Sequence, residues 1–445
     1  MLGADNVKTV GILTLGCKVN QYESAAVAEE LLARGYNIVD SDEKCDFYII
    51  NTCTVTSEAD RKSRQMIRRL IKSNPDAKVI VMGCYAQVSA EKIAEIEGVD
   101  FIIGTRTKME AVEAVEKLSK ETETEKMRVA PLCDAGFEKM LLNGRFGGGT
   151  DERTRAYIKI QDGCESNCTY CIIPSARGGV CSKAPEDVIA EIKNLVENGF
   201  LEVVLTGIET AAYGRDFKSG YTLADLLEEA DKIEGIERIR LGSLDPSLMK
   251  PEFVERISKL KKLTPHFHIS LQSGCDKILA AMKRKYNTKM LLEYMEDIRA
   301  KIPAVMFTTD IICGFPGETD EDFEATCELV KKAGFLSAHI FAYSKRQGTP
   351  AASMPCQVPS KVASERVNKL YAVVEEKAEE LLSVYNGKTV EVIPENYKDG
   401  KAVGHTASFI EVEIECAPDE FEAIQGKLVS VELAVCKNLV SGKIV

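Results

Sequence analysis

No apolar run in the 445-residue chain approaches the roughly 20 residues that span a bilayer, so no membrane-crossing helix is expected. The start, Met1-Leu2-Gly3-Ala4-Asp5, enters a polar segment without the charged and then apolar stretches of a secretory leader, and a cytoplasmic location is the expectation. Positive charge is not in excess. With 57 Lys and Arg against 69 Asp and Glu, the net charge of −12 excludes general attraction to a polyanion, so any nucleic-acid site must be a local basic patch. What remains is a globular composition, 45% hydrophobic and 28% charged, in a chain long enough for two or three cores.

Cysteine is abundant instead. Fifteen is an odd count, which argues against a complete disulfide framework, and in a reducing compartment thiols serve as metal ligands or buried side chains.

Three textures follow one another. From Val10 to about Gly104, short apolar runs (Val10–Leu15, Phe47–Ile50, Lys78–Met82, Asp100–Ile103) alternate with amphipathic stretches such as Ala25–Arg34 and Asp60–Lys72, the pattern of a parallel α/β sheet. A charged stretch from Ser119 to Lys126 and the Gly147-Gly148-Gly149 run place a boundary between about 120 and 150. Six further strand-like runs, at 156–161, 201–206, 238–244, 266–271, 305–312 and 336–343, suggest a partial parallel barrel with functional residues at the strand ends. A helix from Lys361 to about Tyr385 leads into residues 388–445, where alternation such as Phe409-Ile410-Glu411-Val412-Glu413-Ile414-Glu415 predicts a small antiparallel β-barrel.

Cys164, Cys168 and Cys171 fall within eight residues just after a predicted strand. Composition alone gives about 0.02 chance occurrences of this spacing. Three thiolates on one loop can hold three irons of a four-iron cluster and leave the fourth open to a chelating small molecule. Structural zinc usually takes four protein ligands, and no fourth Cys or His lies nearby. Cys17, Cys53 and Cys84 each follow a separate predicted strand, and parallel strands bring such residues to one sheet edge. A second open-iron cluster fits that placement; so does simple burial, since cysteine is among the most buried residue types. Cys45, Cys133, Cys181, Cys275, Cys313, Cys327, Cys356, Cys416 and Cys436 show no ligand spacing.

The Cys-x3-Cys-x2-Cys loop resembles that of the radical S-adenosylmethionine superfamily. Gly16-Cys17-Lys18-Val19-Asn20-Gln21, Asn51-Thr52-Cys53 and Gly83-Cys84-Tyr85-Ala86-Gln87 resemble the auxiliary-cluster segments of its methylthiotransferases. Tyr157 to Cys164, Ser270 to Cys275, Gly314 to Thr319 and Phe341 to Arg346 are similar to the MtaB branch. The resemblance implies a methylthiotransferase domain over 8–120, a radical domain over 150–380 and a TRAM-like RNA-binding barrel over 385–445. It implies two 4Fe-4S clusters, two S-adenosylmethionine molecules per product, and a methylthio group added to carbon 2 of N6-threonylcarbamoyladenosine at position 37 of tRNA. The implied partners are the tRNA anticodon stem-loop and an electron donor such as flavodoxin or ferredoxin. Other branches act on isopentenyladenosine or a ribosomal-protein aspartate, and a non-catalytic zinc-stabilised RNA-binding protein is the alternative of another class.

For cofactor contact the resemblance points to Tyr170 beside the nucleoside, Gly207 and Glu209 toward the methionine amine and Arg284 near its carboxylate, while position at predicted strand ends adds Gln272, Ser273 and Gly314. Arg61, Arg64 and Arg68 recur at helical spacing and would share one face, a candidate phosphate stripe or a merely solvated one. From Glu380 to Val445 six Lys face eleven Asp or Glu, so RNA binding there would rest on Lys388, Lys398, Lys401 and shape rather than bulk charge.

Overall fold

The computed structural model describes residues 7–120, 125–132, 136–142 and 154–445. Cys133 and the Gly147-Gly148-Gly149 run lie outside the described residues.

The amino-terminal sheet has six strands, β1 (Thr9–Thr14), β2 (Asn37–Val39), β3 (Phe47–Thr52), β4 (Lys78–Gly83), β5 (Phe101–Ile103) and β6 (Met127–Arg128), in the order β2-β1-β3-β4-β5-β6. Every pairing is parallel. Side chains alternate between two cores: Tyr48, Ile50, Val79 and Val81 enter one, and Phe47, Ile49, Ile80 and Met82 the other. Both faces are covered, so these strands read as unbroken apolar runs. Helices α1 (Lys18–Ala33), α2 (Ser57–Ser73), α3 (Cys84–Ala94) and α4 (Glu110–Ser119) make the cover. Helix α1 begins seven residues before the sequence pattern suggests, because Asn20, Glu23 and Ser24 are buried polar residues that mask its periodicity.

The six predicted strands of the second part are β7 (Arg155–Asp162), β9 (Glu202–Gly207), β10 (Arg238–Leu241), β11 (His266–Gln272), β12 (Met306–Cys313) and β13 (Ser337–Ala342); a short β8 (Cys181–Ser182) lies antiparallel on β7. They curl in the order β7-β9-β10 and β11-β12-β13, and two isolated parallel bridges, Ile239 to Leu263 and Leu244 to Ile269, join the halves. The result is a partial parallel barrel. The helix Ser360–Ser383 buries Leu370 and Val374 in the barrel's core.

The carboxy-terminal barrel closes as β14 (Thr389–Lys398), β15 (Lys401–Thr406), β16 (Glu411–Glu415), β18 (Leu439–Ile444) and β17 (Val429–Cys436). It departs from the antiparallel expectation at one seam, where β16 and β18 pair in parallel. The helix Pro418–Ile424 and strand β17 intervene there, so the chain re-enters beside β16 in the same direction. Phe409, expected in the strand, precedes it. Its φ of 68° belongs to a tight turn in which Phe409 N donates to Thr406 O, and its ring stacks between His266 (4.4 Å) and His405 (4.7 Å).

Among the described residues no helix is long and apolar enough to cross a membrane.

Candidate active site

The loop after β7 carries the first thiol trio. Gly163 opens it with φ 71°, and a Cβ there would lie 1.8 Å from Gly179 O, so no other residue fits. Cys164 N donates to Gly178 O (3.0 Å) and Thr169 Oγ1 to Ala281 O (2.9 Å), which fixes the loop across the barrel mouth. Helix α5 (Ile173–Arg177) follows directly.

All three thiols face a cavity of about 300 Å³. Cys164 Sγ donates to Glu209 Oε2 (2.8 Å), Cys168 Sγ accepts from Arg284 Nη1 (3.3 Å), and Cys171 Sγ accepts from Ile173 N (3.5 Å). Burial, reinforced by the Glu209 carboxylate, pushes the Cys164 thiol up to about 12, and burial pushes Cys171 up to about 11. Thiols this reluctant to ionise alone become thiolates when a metal takes the place of the proton.

Of the other predicted contacts, Tyr170, Glu209, Gln272 and Arg284 line this cavity. Arg284 is held by Asp245 Oδ2 (2.6 Å) and Ser270 O (3.1 Å). Gln272 sits at a register shift in β11 with φ 67°, an unusual conformation for a side-chain residue that ends the strand at the cavity rim. Gly207 ends β9 against the Gln161 side chain, whose Oε1 accepts from Glu209 N (2.8 Å). Two residues are turned elsewhere. Ser273 is fully buried, its Oγ accepting from Cys275 N (3.2 Å), and Gly314 leaves room for Ala363 of the long helix, since a Cβ there would lie 2.5 Å from Ala363 Cβ.

The second trio forms at the carboxyl edge of the amino-terminal sheet, because β1, β3 and β4 are parallel neighbours. Cys17 precedes α1, Cys53 follows β3 and Cys84 opens α3. Asn20 Nδ2 binds Leu15 O (2.7 Å) and Thr52 O (3.1 Å), drawing the first two loops together. Gly83 adopts φ 104°, where a Cβ would meet Asn51 Oδ1 at 2.5 Å and Thr52 O at 2.6 Å. Each trio offers three sulfur donors, the set that can hold three irons of a four-iron cluster and leave the fourth open.

A buried ionic knot, not legible in the sequence, links the two trios. Arg177, fully buried, donates to Cys84 Sγ (3.2 Å), Asn20 Oδ1 (2.7 Å), Glu23 Oε1 (2.9 Å) and Asp162 Oδ1 (3.0 Å). Lys159 bridges Glu23 (2.7 Å) and Asp162 (2.6 Å), and Lys108 also pairs with Glu23. Three cations face two carboxylates. The surplus positive charge suits a cluster that carries one net negative charge when three thiolates ligate it. Burial opposes ionisation of Glu23 and Asp162, but Arg177 first and the lysines next outweigh it and hold both carboxyls well below the usual range.

The Cys53 loop also closes over the barrel. Arg346 Nη2 donates to Thr54 Oγ1 (2.7 Å), Ser57 Oγ donates to Lys345 O (2.9 Å), and Val55 and Thr56 line the cavity of the first trio. On the same cavity Asp310 is bracketed by His268 (3.1 Å) and His339 (3.2 Å), another group not legible in the sequence.

The arginine stripe of α2 is only partly free. Arg61 pairs with Glu58 (2.5 Å) and Arg64 donates to the Tyr85 hydroxyl (2.8 Å), whereas Arg68 is exposed. A larger cavity of about 960 Å³ opens on the carboxy-terminal barrel, but Glu413, Glu415, Glu420 and Glu432 outnumber Lys401 and Lys443 in its wall, an unfavourable surface for phosphate.

Residues 9–104 match the family described as uncharacterized protein family UPF0004, and residues 158–330 match the radical SAM superfamily. Over 431 residues the chain is 40% identical to the threonylcarbamoyladenosine tRNA methylthiotransferase MtaB of Bacillus subtilis, covering 96% of this chain and 93% of that protein. Identity to the MtaB of Thermotoga maritima is 36% over 447 residues, covering 98% and 99%. The tRNA-2-methylthio-N(6)-dimethylallyladenosine synthase of Moorella thermoacetica is 37% identical over 369 residues, 82% of each chain. Among solved structures, the radical S-adenosylmethionine methyltransferase TsrM of Kitasatospora setae has a TM-score of 0.55 at 15% identity, covering 78% of this chain and 77% of that one, a likeness of fold. With full-length identity at this level to MtaB proteins and both cysteine trios in place, the chain belongs to the MtaB family of radical S-adenosylmethionine methylthiotransferases.

Proposed function

We propose that this enzyme adds a methylthio group to carbon 2 of N6-threonylcarbamoyladenosine beside the tRNA anticodon, with one 4Fe-4S cluster on Cys164, Cys168 and Cys171 and a second on Cys17, Cys53 and Cys84. One observation carries the reading. The cavity that receives the first trio's thiols is walled on another side by Val55 and Thr56, two and three residues past Cys53, so a base held there lies between radical source and sulfur donor.

Membership of the superfamily brings an iron–sulfur cluster and S-adenosylmethionine, and when bound they supply the one-electron chemistry that an unactivated aromatic C–H bond requires. The chain's own residues do the rest. Arg284, fixed by Asp245, would pair with the methionine carboxylate, and Glu209, beside Cys164, would accept from its amine. Tyr170, on the wall of the same cavity, would pack along the nucleoside. Arg177 and its partners hold the second trio's loops against the barrel and offset cluster charge. Two S-adenosylmethionine molecules are used per product, a flavodoxin or ferredoxin supplies electrons, and domain limits of 8–120, 150–380 and 385–445 apportion the auxiliary cluster, the radical chemistry and RNA contact. Arg61, Arg64 and Arg68 stay the candidate stripe for anticodon-stem phosphates.

Mass spectrometry of tRNA nucleosides from cells with and without the enzyme tests the substrate: loss of the adenosine bearing both methylthio and threonylcarbamoyl groups is expected, and an unchanged nucleoside profile refutes it. Anaerobically reconstituted protein should hold about eight irons per chain, falling to about four when Cys17, Cys53 and Cys84 are replaced by alanine.

A further inference from the structure

Relatives of similar identity carry names that specify two kinds of nucleoside, so what decides the substituent at N6 must be sought in the cavity wall and beside it. The two substituents differ in charge. A dimethylallyl group is wholly apolar, whereas a threonylcarbamoyl group ends in a carboxylate and a hydroxyl.

Lys18, the residue after Cys17 and the first of α1, is exposed and lies over the Tyr157 ring of the barrel at 5.8 Å. Among the described residues it makes no ion pair. The first turn of α1 contains no acidic residue, so the positive end of that helix adds to the ammonium rather than balancing it. Burial first, and then Arg155 and Arg240, weigh against the charge of Lys18, while Glu202 and Asp310 favour it. Both carboxylates are already engaged: Glu202 accepts from Arg240 Nε (2.7 Å), and Asp310 sits between His268 and His339. A local excess of positive charge is left facing open space beside the sulfur-donor loop.

The neighbouring wall has matching features. His339 and Phe341 are two residues apart on β13 and so share one face. Phe341 is 49% exposed, a large bare ring on the cavity that also contains Asp310. Such a ring is a stacking platform for an unstacked base.

We propose that Lys18 is the specificity-determining residue of this enzyme, pairing with the carboxylate of the threonylcarbamoyl group while Asp310 accepts from its hydroxyl and Phe341 takes a face of the adenine. This rests on the substrate reading above and adds the reason for it: an apolar substituent would strip water from Lys18 with nothing in exchange, whereas a carboxylate supplies the missing counter-charge.

The test uses the full-length, iron-reconstituted enzyme with two tRNAs, one bearing threonylcarbamoyladenosine and one in which the same threonine carboxylate is converted to the carboxamide. The parent enzyme should favour the acid by about 10- to 100-fold in kcat/KM, the range expected of a charge-assisted pair. Lys18→Gln should abolish that preference by lowering the value for the acid alone, and Lys18→Arg should retain most of it. Iron content of each variant verifies that the Cys17 loop is loaded. Equal use of acid and amide by the parent, which needs no variant to measure, overturns the assignment, as does a preference that survives in Lys18→Gln. Failure of the parent to modify either tRNA overturns the substrate reading itself, a distinguishable result.

Discussion

Arg177→Met removes the centre of the buried knot. The guanidinium is fully buried and bonds to Glu23, Asp162, Asn20 and Cys84 at 2.7 to 3.2 Å. Methionine fills much of its volume but leaves Glu23 and Asp162 to Lys108 and Lys159 alone. Breaking a buried ion pair by removing one partner costs about 3–5 kcal/mol, and the two remaining lysines place this case near 3. For a cooperative unit of about 150–250 residues, each kcal/mol shifts the midpoint by about 2–4 °C, so a fall of about 6–12 °C is expected. Thermal unfolding of the purified chain at pH 7 measures it. Arg34→Met is the comparison, since Arg34 pairs with Glu30 and Glu116 at the surface and its removal should cost less than about 1 kcal/mol. If Arg177→Met melts within about 2 °C of the parent, the knot does not brace the two cysteine loops and the reasoning fails.

Glu23→Gln should flatten the acid side of the stability profile. Both Glu23 and Asp162 have carboxyls held below their usual range, so their contribution is complete above about pH 4.5 and is lost as pH falls through the folded values. Melting temperature followed from pH 7 to pH 3 should therefore drop less steeply in the variant than in the parent; parallel curves would show that Glu23 is not the group concerned. Gly83→Ala introduces a Cβ 2.6 Å from a backbone oxygen at φ 104° and should cost about 1–3 kcal/mol together with iron bound at Cys84, whereas Gly35→Ala, with open space around it, should leave iron content unchanged. Phe409→Ala removes two ring stacks and the contacts of Arg155 and Arg240 over the same ring, about 2–4 kcal/mol of docking between the carboxy-terminal barrel and the rest. Limited proteolysis should then release the barrel sooner; an unchanged digestion rate counts against the contact.

Sequence alone determined what is local. Cys164, Cys168 and Cys171 occupy one loop, so their spacing already encodes a three-thiol site, and apolar runs covered on both faces announced the parallel strands wherever they were long enough. Cys17, Cys53 and Cys84 were legible only as three strand ends, and it was the order β1-β3-β4 that brought them to one edge. The parallel seam between β16 and β18 and the turn at Phe409 were missed because alternation reports which face a residue occupies and not which strand lies beside it. Least legible was the charged interior. Glu23, Lys108, Lys159, Asp162 and Arg177 come from distant segments and each alone reads as a surface residue. The same holds for His268, Asp310 and His339 on three adjacent strands, and for Lys18 within electrostatic reach of Asp310. Burying a charge is tolerable only where opposite charges meet it, and that meeting is a property of the packed molecule, which no stretch of chain contains by itself.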